Sequence, residues 1–229
     1  VGETAPTVET DLGSVQCTRS PSGWRAYIPA AYNASAGAHD VTLTVNGEVL
    51  TKTLTVLPKD FGTAEVEAGP PPTEAANTEF RNSIWPLYEQ PAQEKLWSGG
   101  FVCPAEDYLV LLNFGQIKIT NGQQGSKSNS TKLYTIPGDP ARAPANGTVA
   151  FAGNLALTGN TVVIDHGCGM RSYLYGLQTG GEQQGGAFAH DAVGALGEEL
   201  TMDFKLGSKS VNPWLLFQTS GGLFWRENG

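Results

Sequence analysis

The chain has 229 residues, 29 of them glycine, and only 16% are charged. That balance favours an all-β, turn-rich protein over a helical one, with length enough for one or two domains and a real core. The net charge of −8 argues against nucleic acid as a partner, no apolar run approaches the ~20 residues of a membrane helix, and three widely spaced cysteines are not a disulfide scaffold.

Residues 1–13 are polar and are expected to form a flexible N-terminus. Residues 14–58 read as short strands, a small immunoglobulin-like β-sandwich. Trp24 to Ile28 alternates, and the runs Val41–Val45 and Glu48–Val56 flank Asn46-Gly47, the strongest short hairpin signal because both turn positions need positive φ. A spacer role fits this part. Carbohydrate binding would need an exposed ring, Trp24 or Tyr27, and either could equally be core. Residues 59–95 read as a linker. Gly69-Pro70-Pro71-Pro72 is stiff and extended, and Thr73 is placed to cap a short helix that should break before Pro86. Trp85 and Tyr88 are expected to pack onto one of the domains.

Residues 96–220 form a second unit, followed by a C-terminal tail at 221–229. Tyr108–Leu112 is a dense apolar run and reads as a strand buried on both sides. Gln116–Thr120 alternates and leads to a turn at Asn121-Gly122. Gln123–Ser130 reads as a flexible surface loop, and Thr179–Gly186 likewise. Three further strands come next, around Ala150–Gly153, Thr161–Ile164 and Ser172–Leu177. Between the last two lies Asp165-His166-Gly167-Cys168-Gly169, a tight turn that needs its glycines for positive φ. His190-Asp191 reads as a solvated turn, and Glu198 and Glu199 as exposed acids.

Gly138, Asp139, Pro140, Ala143 and Pro144, then Gly147-Thr148-Val149, Ile164-Asp165-His166-Gly167 and Ser172 to Leu177 stand in an ordered series. Trp97 to Phe101, Pro104, Phe114-Gly115 and Asn121-Gly122 lead into it, and Val211-Asn212-Pro213 leaves it. The series resembles the core of the lysostaphin-type zinc peptidases, the M23 or LytM-like family, over roughly residues 96–217. The resemblance implies an antiparallel LytM/M23-like β-sheet domain after the small sandwich, and a bacterial protein of the cell envelope, extracytoplasmic or secreted.

The family's chemistry does not carry over with the motifs. Its zinc ligands are a His and an Asp from H-x-G-x-D and the second His of H-x-H. The first His of that pair and the His of Y-x-H-L assist the reaction. The corresponding ligand positions here hold Ser128, Lys132 and Asp203, and the assisting positions hold Gly176 and Thr201. Catalytic zinc usually needs three His, Asp, Glu or Cys ligands, and a charged lysine has no lone pair to give. The expectation is therefore a degenerate family member with its zinc-ligand motifs lost, a pseudo-peptidase without catalytic residues, bound metal or cofactor. It would bind peptidoglycan peptide or regulate a cell-wall hydrolase, as degenerate LytM-like domains activate wall amidases.

Asp165, His166, Tyr173, Tyr175 and Asp203 are the candidates for lining the old groove. For His166 the commoner role is holding backbone across the turn. Strand parity puts Tyr173 and Tyr175 on the face away from Gly176, and so away from the groove floor. A Cys103–Cys168 bridge and three inert thiols are both open readings. Two alternatives to the pseudoenzyme stand beside it. One is a zinc metalloendopeptidase with ligands rearranged among Asp139, Asp165, His166, His190 and Asp203. The other is a purely structural envelope protein. The start at Val1 is read as the loss of an export signal or membrane anchor.

Overall fold

The computed structural model describes residues 4–180 and 186–218. Expectations for residues 1–3, for the middle of the 179–186 loop and for the 221–229 tail lie outside the described residues. The protein is nearly all β, as its composition implied. In chain order the strands are β1 (Thr7–Glu9), β2 (Thr18–Ser20), β3 (Gly23–Arg25), β4 (Gly37–Val45), β5 (Glu48–Val56) and β6 (Thr63–Glu65), followed by helix α1 (Glu74–Tyr88). Then come β7 (Tyr108–Leu112), β8 (Ile117–Thr120), β9 (Gln123–Lys127), β10 (Thr131–Thr135), β11 (Pro140–Arg142), β12 (Gly147–Leu155) and β13 (Gly159–Asp165). The chain continues with β14 (Met170–Leu177), β15 (Thr179–Gly180), β16 (Gly186–Ala187), β17 (Ala192–Ala195), β18 (Glu199–Leu206), β19 (Lys209–Val211) and helix α2 (Pro213–Gln218).

In the N-terminal part, β1, β4 and β5 form an antiparallel sheet and β2–β3 a separate hairpin. The β4–β5 turn is the one the sequence announced, with Asn46 at φ 51° and Gly47 at φ 85°. The first thirteen residues are not all loose: β1 pairs with β4, and Leu12 is buried. The 59–95 stretch is also more than a tether. β6 adds in parallel to β8, and Val66 donates its N–H to the Ile119 carbonyl. Tyr27 meets Trp97, Phe61 meets Phe114, and Ala31 bridges to Val211, so the N-terminal part packs closely on the C-terminal unit.

The central element is an antiparallel eight-stranded sheet, ordered β16-β12-β13-β14-β18-β10-β7 with β19 on β18. Its middle strands are covered on both faces. That is why β13 carries the unbroken β-branched run Val162-Val163-Ile164, all fully buried. Val162, Ile164, Leu174, Met202 and Phe204 face a core closed by Trp97, Phe101 and Leu216 and by the small sheet β11-β17-β15. Val163, Tyr173 and Tyr175 face the other way, into a core closed by α1.

Helix α1 forms because Thr73 caps it, accepting from the Ala76 N–H at 3.2 Å, and because Ala76, Phe80, Ile84, Leu87 and Tyr88 recur on one stripe. The expected break before Pro86 does not occur. Pro86 sits in the last turn, where one missing hydrogen bond is cheap, and the packing of Leu87 and Tyr88 holds that turn. Two other expectations are corrected. Tyr108–Leu112 is not buried on both sides: β7 is the edge of the main sheet, and only Leu112 is buried. Gln123–Ser130 is not a loose loop: β9 pairs with β8, and Ser128 is fully buried. Cys17, Cys103 and Cys168 are free thiols, so the Cys103–Cys168 bridge is absent.

Candidate functional site

Register decides which side chains meet. Residues directly opposite in an antiparallel pair share a face, as do alternate residues along one strand. Lys132 lies opposite Thr201, Tyr175 opposite Thr201, Tyr173 opposite Asp203, and Arg171 opposite both Asp165 and Lys205. All eight therefore share one face, and α1 closes the part of it around Tyr173 and Tyr175. Their elements run from β13 through β14 and β18 to β10.

The parity expectation for the tyrosines is thereby corrected. Asn160 pairs with Leu177, but Thr161 pairs with Tyr175, so Gly176 is an extra residue in a β-bulge. Its φ of 79° suits glycine, and its N–H bonds to the Thr158 carbonyl. The bulge inverts the count: Tyr175, not Gly176, stands on the face of Thr201 and Lys132. A single glycine within an alternating run was the available signal.

Four charges are buried on this face. Asp165 Oδ2 lies 2.6 Å from Arg171 Nη2, without the alignment of a hydrogen bond, while its Oδ1 accepts the Gly167 N–H at 2.8 Å. Asp203 Oδ2 lies 2.9 Å from Lys205 Nζ, which also donates to Ser210 Oγ at 2.8 Å. Burial raises the Asp203 carboxyl above its usual pKa, and Lys205 and Ser210 pull against that rise. Lys205 lies beneath the rings of Tyr88 and Tyr173, at 5.2 and 5.9 Å from their centroids. The same burial pushes the Tyr88, Tyr173 and Tyr175 phenols above their usual range. Arg171, Lys205 and Tyr88 escaped the sequence reading as site residues. The available signals were a lone arginine in the largely apolar Met170–Leu177 and a lysine two residues from Asp203, a spacing that puts both on one face of a strand.

Helix α1 lies over this network. Ile84 and Leu87 pack with Val163, Tyr173 and Tyr175; Phe80 meets Tyr175 at 6.2 Å and Tyr88 meets Tyr173 at 6.0 Å. Glu79 accepts the Ala156 N–H and fastens the helix to the β12–β13 turn. Beyond its C-terminal end, Trp85, Tyr88 and Glu89 line a cleft of about 380 Å³ with Tyr27, Cys168 and Ser208.

The remaining candidates take no part in the buried ion pairs. Ser128 is committed to its own turn, donating to the Ser130 carbonyl at 2.8 Å. Lys132 is half-exposed and pairs with Glu199. His166 is on the opposite face, its Nδ1 2.9 Å from the Asn146 carbonyl and its Nε2 2.9 Å from Ser172 Oγ, edge-on to Phe101. It ties the turn to the neighbouring strands, and burial lowers its pKa to about 4. His190 sits exposed at φ 72°, with Asp191 capping the same turn through the Phe188 N–H.

Among the described residues no three His, Cys, Asp or Glu side chains converge to hold a metal ion. The one carboxylate among Ser128, Lys132 and Asp203 is already neutralised by an ammonium at 2.9 Å.

Residues 126–213 match the family model described as Peptidase family M23, which confirms the resemblance for that part of the chain. A putative M23 peptidase from Pseudomonas aeruginosa superposes with a TM-score of 0.69 at 16% identity, over 97% of this chain and 90% of that one. At that identity the likeness establishes the fold. Csd3 of Helicobacter pylori gives 0.48 at 10% identity, over 94% of this chain and 79% of the other. The catalytic domain of lysostaphin, an antimicrobial peptidase from Staphylococcus simulans, gives 0.38 at 16%, over 54% and 93%. No curated protein sequence matches. Among the described residues no helix is long and apolar enough to cross a membrane.

Proposed function

We propose that this is a non-catalytic M23-like protein of the bacterial cell envelope, which binds peptidoglycan peptide or regulates a cell-wall hydrolase. One observation carries the reading. The sheet face around Asp203 is a charge-balanced core under α1, where the Lys205 ammonium already pairs with that carboxylate, and at its exposed margin Lys132 pairs with Glu199. Such a face supports neither a metal-activated water nor a peptide threaded across β14 and β18. Recognition then falls to the outer surfaces of a fold kept without its reaction.

Two measurements on the full chain test this. Metal analysis after equilibration with zinc and gel filtration should return far less than one ion per chain. Near-stoichiometric zinc, with cleavage of cross-linked wall peptide, would replace the proposal by a zinc endopeptidase with rearranged ligands. Co-sedimentation with purified peptidoglycan, and pull-down of wall hydrolases at low and moderate salt, should retain the protein in at least one arm. Failure of both arms would leave a structural envelope protein as the better reading.

A further inference from the structure

Aromatic rings and hydrogen-bonding groups are mixed around the cleft beyond the C-terminal end of α1. Trp85 lines it and lies off the buried stripe of the helix, on a face shared with the exposed Thr78, Asn82 and Glu89. Its ring is 54% exposed, so packing does not account for it. Tyr27 and Tyr88 add two further rings, and Glu89, Gln16 and Ser208 supply hydrogen-bonding groups beside them. Gln16 Oε1 accepts the Ala92 N–H at 2.7 Å, which holds the side chain in place and leaves its amide N–H donors for another partner. The carboxylate of Glu89, the C-cap of α1, offers two acceptor oxygens.

We infer that this cleft binds a neutral saccharide, with a sugar ring stacked on Trp85 and its hydroxyls bonded to Glu89, Gln16 and Ser208. Charge selects the class of ligand. Glu89 is the one formally charged side chain among the residues described around the cleft, in a chain of net charge −8, so phosphates and carboxylates are opposed. Cations are opposed as well, because two of the three rings already meet one. Lys205 Nζ lies 5.2 Å from the Tyr88 centroid, and Arg25 reaches the Tyr27 hydroxyl. An apolar peptide would leave the amide and the carboxylate without partners. A pyranose meets all of these conditions. Its C–H face lies on an indole ring, neighbouring hydroxyls donate to the two oxygens of one carboxylate, and another accepts from the amide. The volume of about 380 Å³ is at the lower end for small-molecule sites and suits a short run of sugar units. Of the two rings that carbohydrate binding could have used, Tyr27 is in the cleft, while Trp24 is capped by the Arg19 guanidinium at 4.2 Å. The inference goes beyond wall-peptide binding and does not rest on it, since a soluble oligosaccharide tests it alone.

The experiment is isothermal titration calorimetry with cellotetraose, with its N-acetylated counterpart chitotetraose, and with tetragalacturonate as the charged control. The samples are the full chain, Trp85→Ala, Ser208→Tyr, Trp24→Ala and a chain ending at Gln218. Trp85 and Ser208 are exposed, so their variants should keep the parent's circular dichroism. The full chain should bind at least one neutral tetrasaccharide with a Kd below about 1 mM. Trp85→Ala should raise that Kd at least ~10-fold, Ser208→Tyr should abolish binding by filling the cleft, and Trp24→Ala should bind as the parent does. A full chain that binds neither neutral sugar at about 10 mM would overturn the inference. So would a Trp85→Ala chain that keeps the parent's Kd, a Trp24→Ala chain that loses as much, or tetragalacturonate bound as tightly as the neutral sugars. Binding that appears only in the chain ending at Gln218 would overturn it too, by making residues 219–229 the occupant of the cleft.

Discussion

Acid should weaken this fold through a single imidazole. His166 is fully buried, with Nδ1–H donating to the Asn146 carbonyl and Nε2 accepting from the Ser172 hydroxyl. That pattern fixes the neutral ring. Burial lowers its pKa to about 4, against about 6.5 in the unfolded chain. As pH falls below about 6.5 the unfolded chain takes up the proton first, so the contribution is complete above that pH and drains away down to about 4. The gap between the two values corresponds to about 3 kcal/mol. Asp203 works in the opposite direction, because its raised pKa lets the folded chain bind a proton earlier than the unfolded one. Comparison with His166→Gln removes that background. Urea denaturation of both proteins between about pH 7 and pH 4 should show the parent losing about 3 kcal/mol more than the variant. Parallel stability curves would refute the reasoning and place His166 in a wetter site than its hydrogen bonds describe.

His39 should do the reverse. Its Nδ1 meets the Asp11 carboxylate and its Nε2 the Ser35 carbonyl, both at 2.9 Å, and the hydrogen bond to Asp11 leads in raising its pKa. The stabilisation is complete below about pH 6.5 and lost as pH rises through the folded value; Asp11→Asn should flatten that part of a melting-temperature profile. Ile84→Ala empties a fully buried site under α1 and should cost about 2–5 kcal/mol, measured by urea midpoint, whereas a loss under about 1 kcal/mol would mean that the helix only rests on the sheet. Gly167→Ala should fail to yield folded protein: φ is +83° and an added Cβ would overlap the Glu94 carbonyl oxygen, so soluble protein with native circular dichroism would contradict the described turn.

The legible parts of the chain were those fixed by local chemistry. Asn46-Gly47 and Asn121-Gly122 turn because their residues tolerate positive φ, and Thr161–Ile164 is a buried strand because its branched side chains have cores on both sides. The order of short motifs from Trp97 to Pro213 was enough to find the sheet. What escaped depends on distant pairing. β7 has the composition of a buried strand, and only the sheet order shows that nothing described lies beyond it. The side of the sheet that Tyr173 and Tyr175 occupy turns on one bulged glycine, which a count by twos misses. The cover over the face of Asp203 comes from a helix about 120 residues upstream, where the sequence shows a capped amphipathic segment but not its destination.

The placement of α1 also bears on how the gene can be trimmed. A fragment beginning near residue 96, where composition changes, would shed the helix along with the strand that extends β8. Tyr173, Tyr175 and Val163 would then meet water above two unshielded ion pairs. Such a fragment should bind hydrophobic dyes and precipitate, and any zinc or wall affinity measured on it would describe the wound rather than the protein.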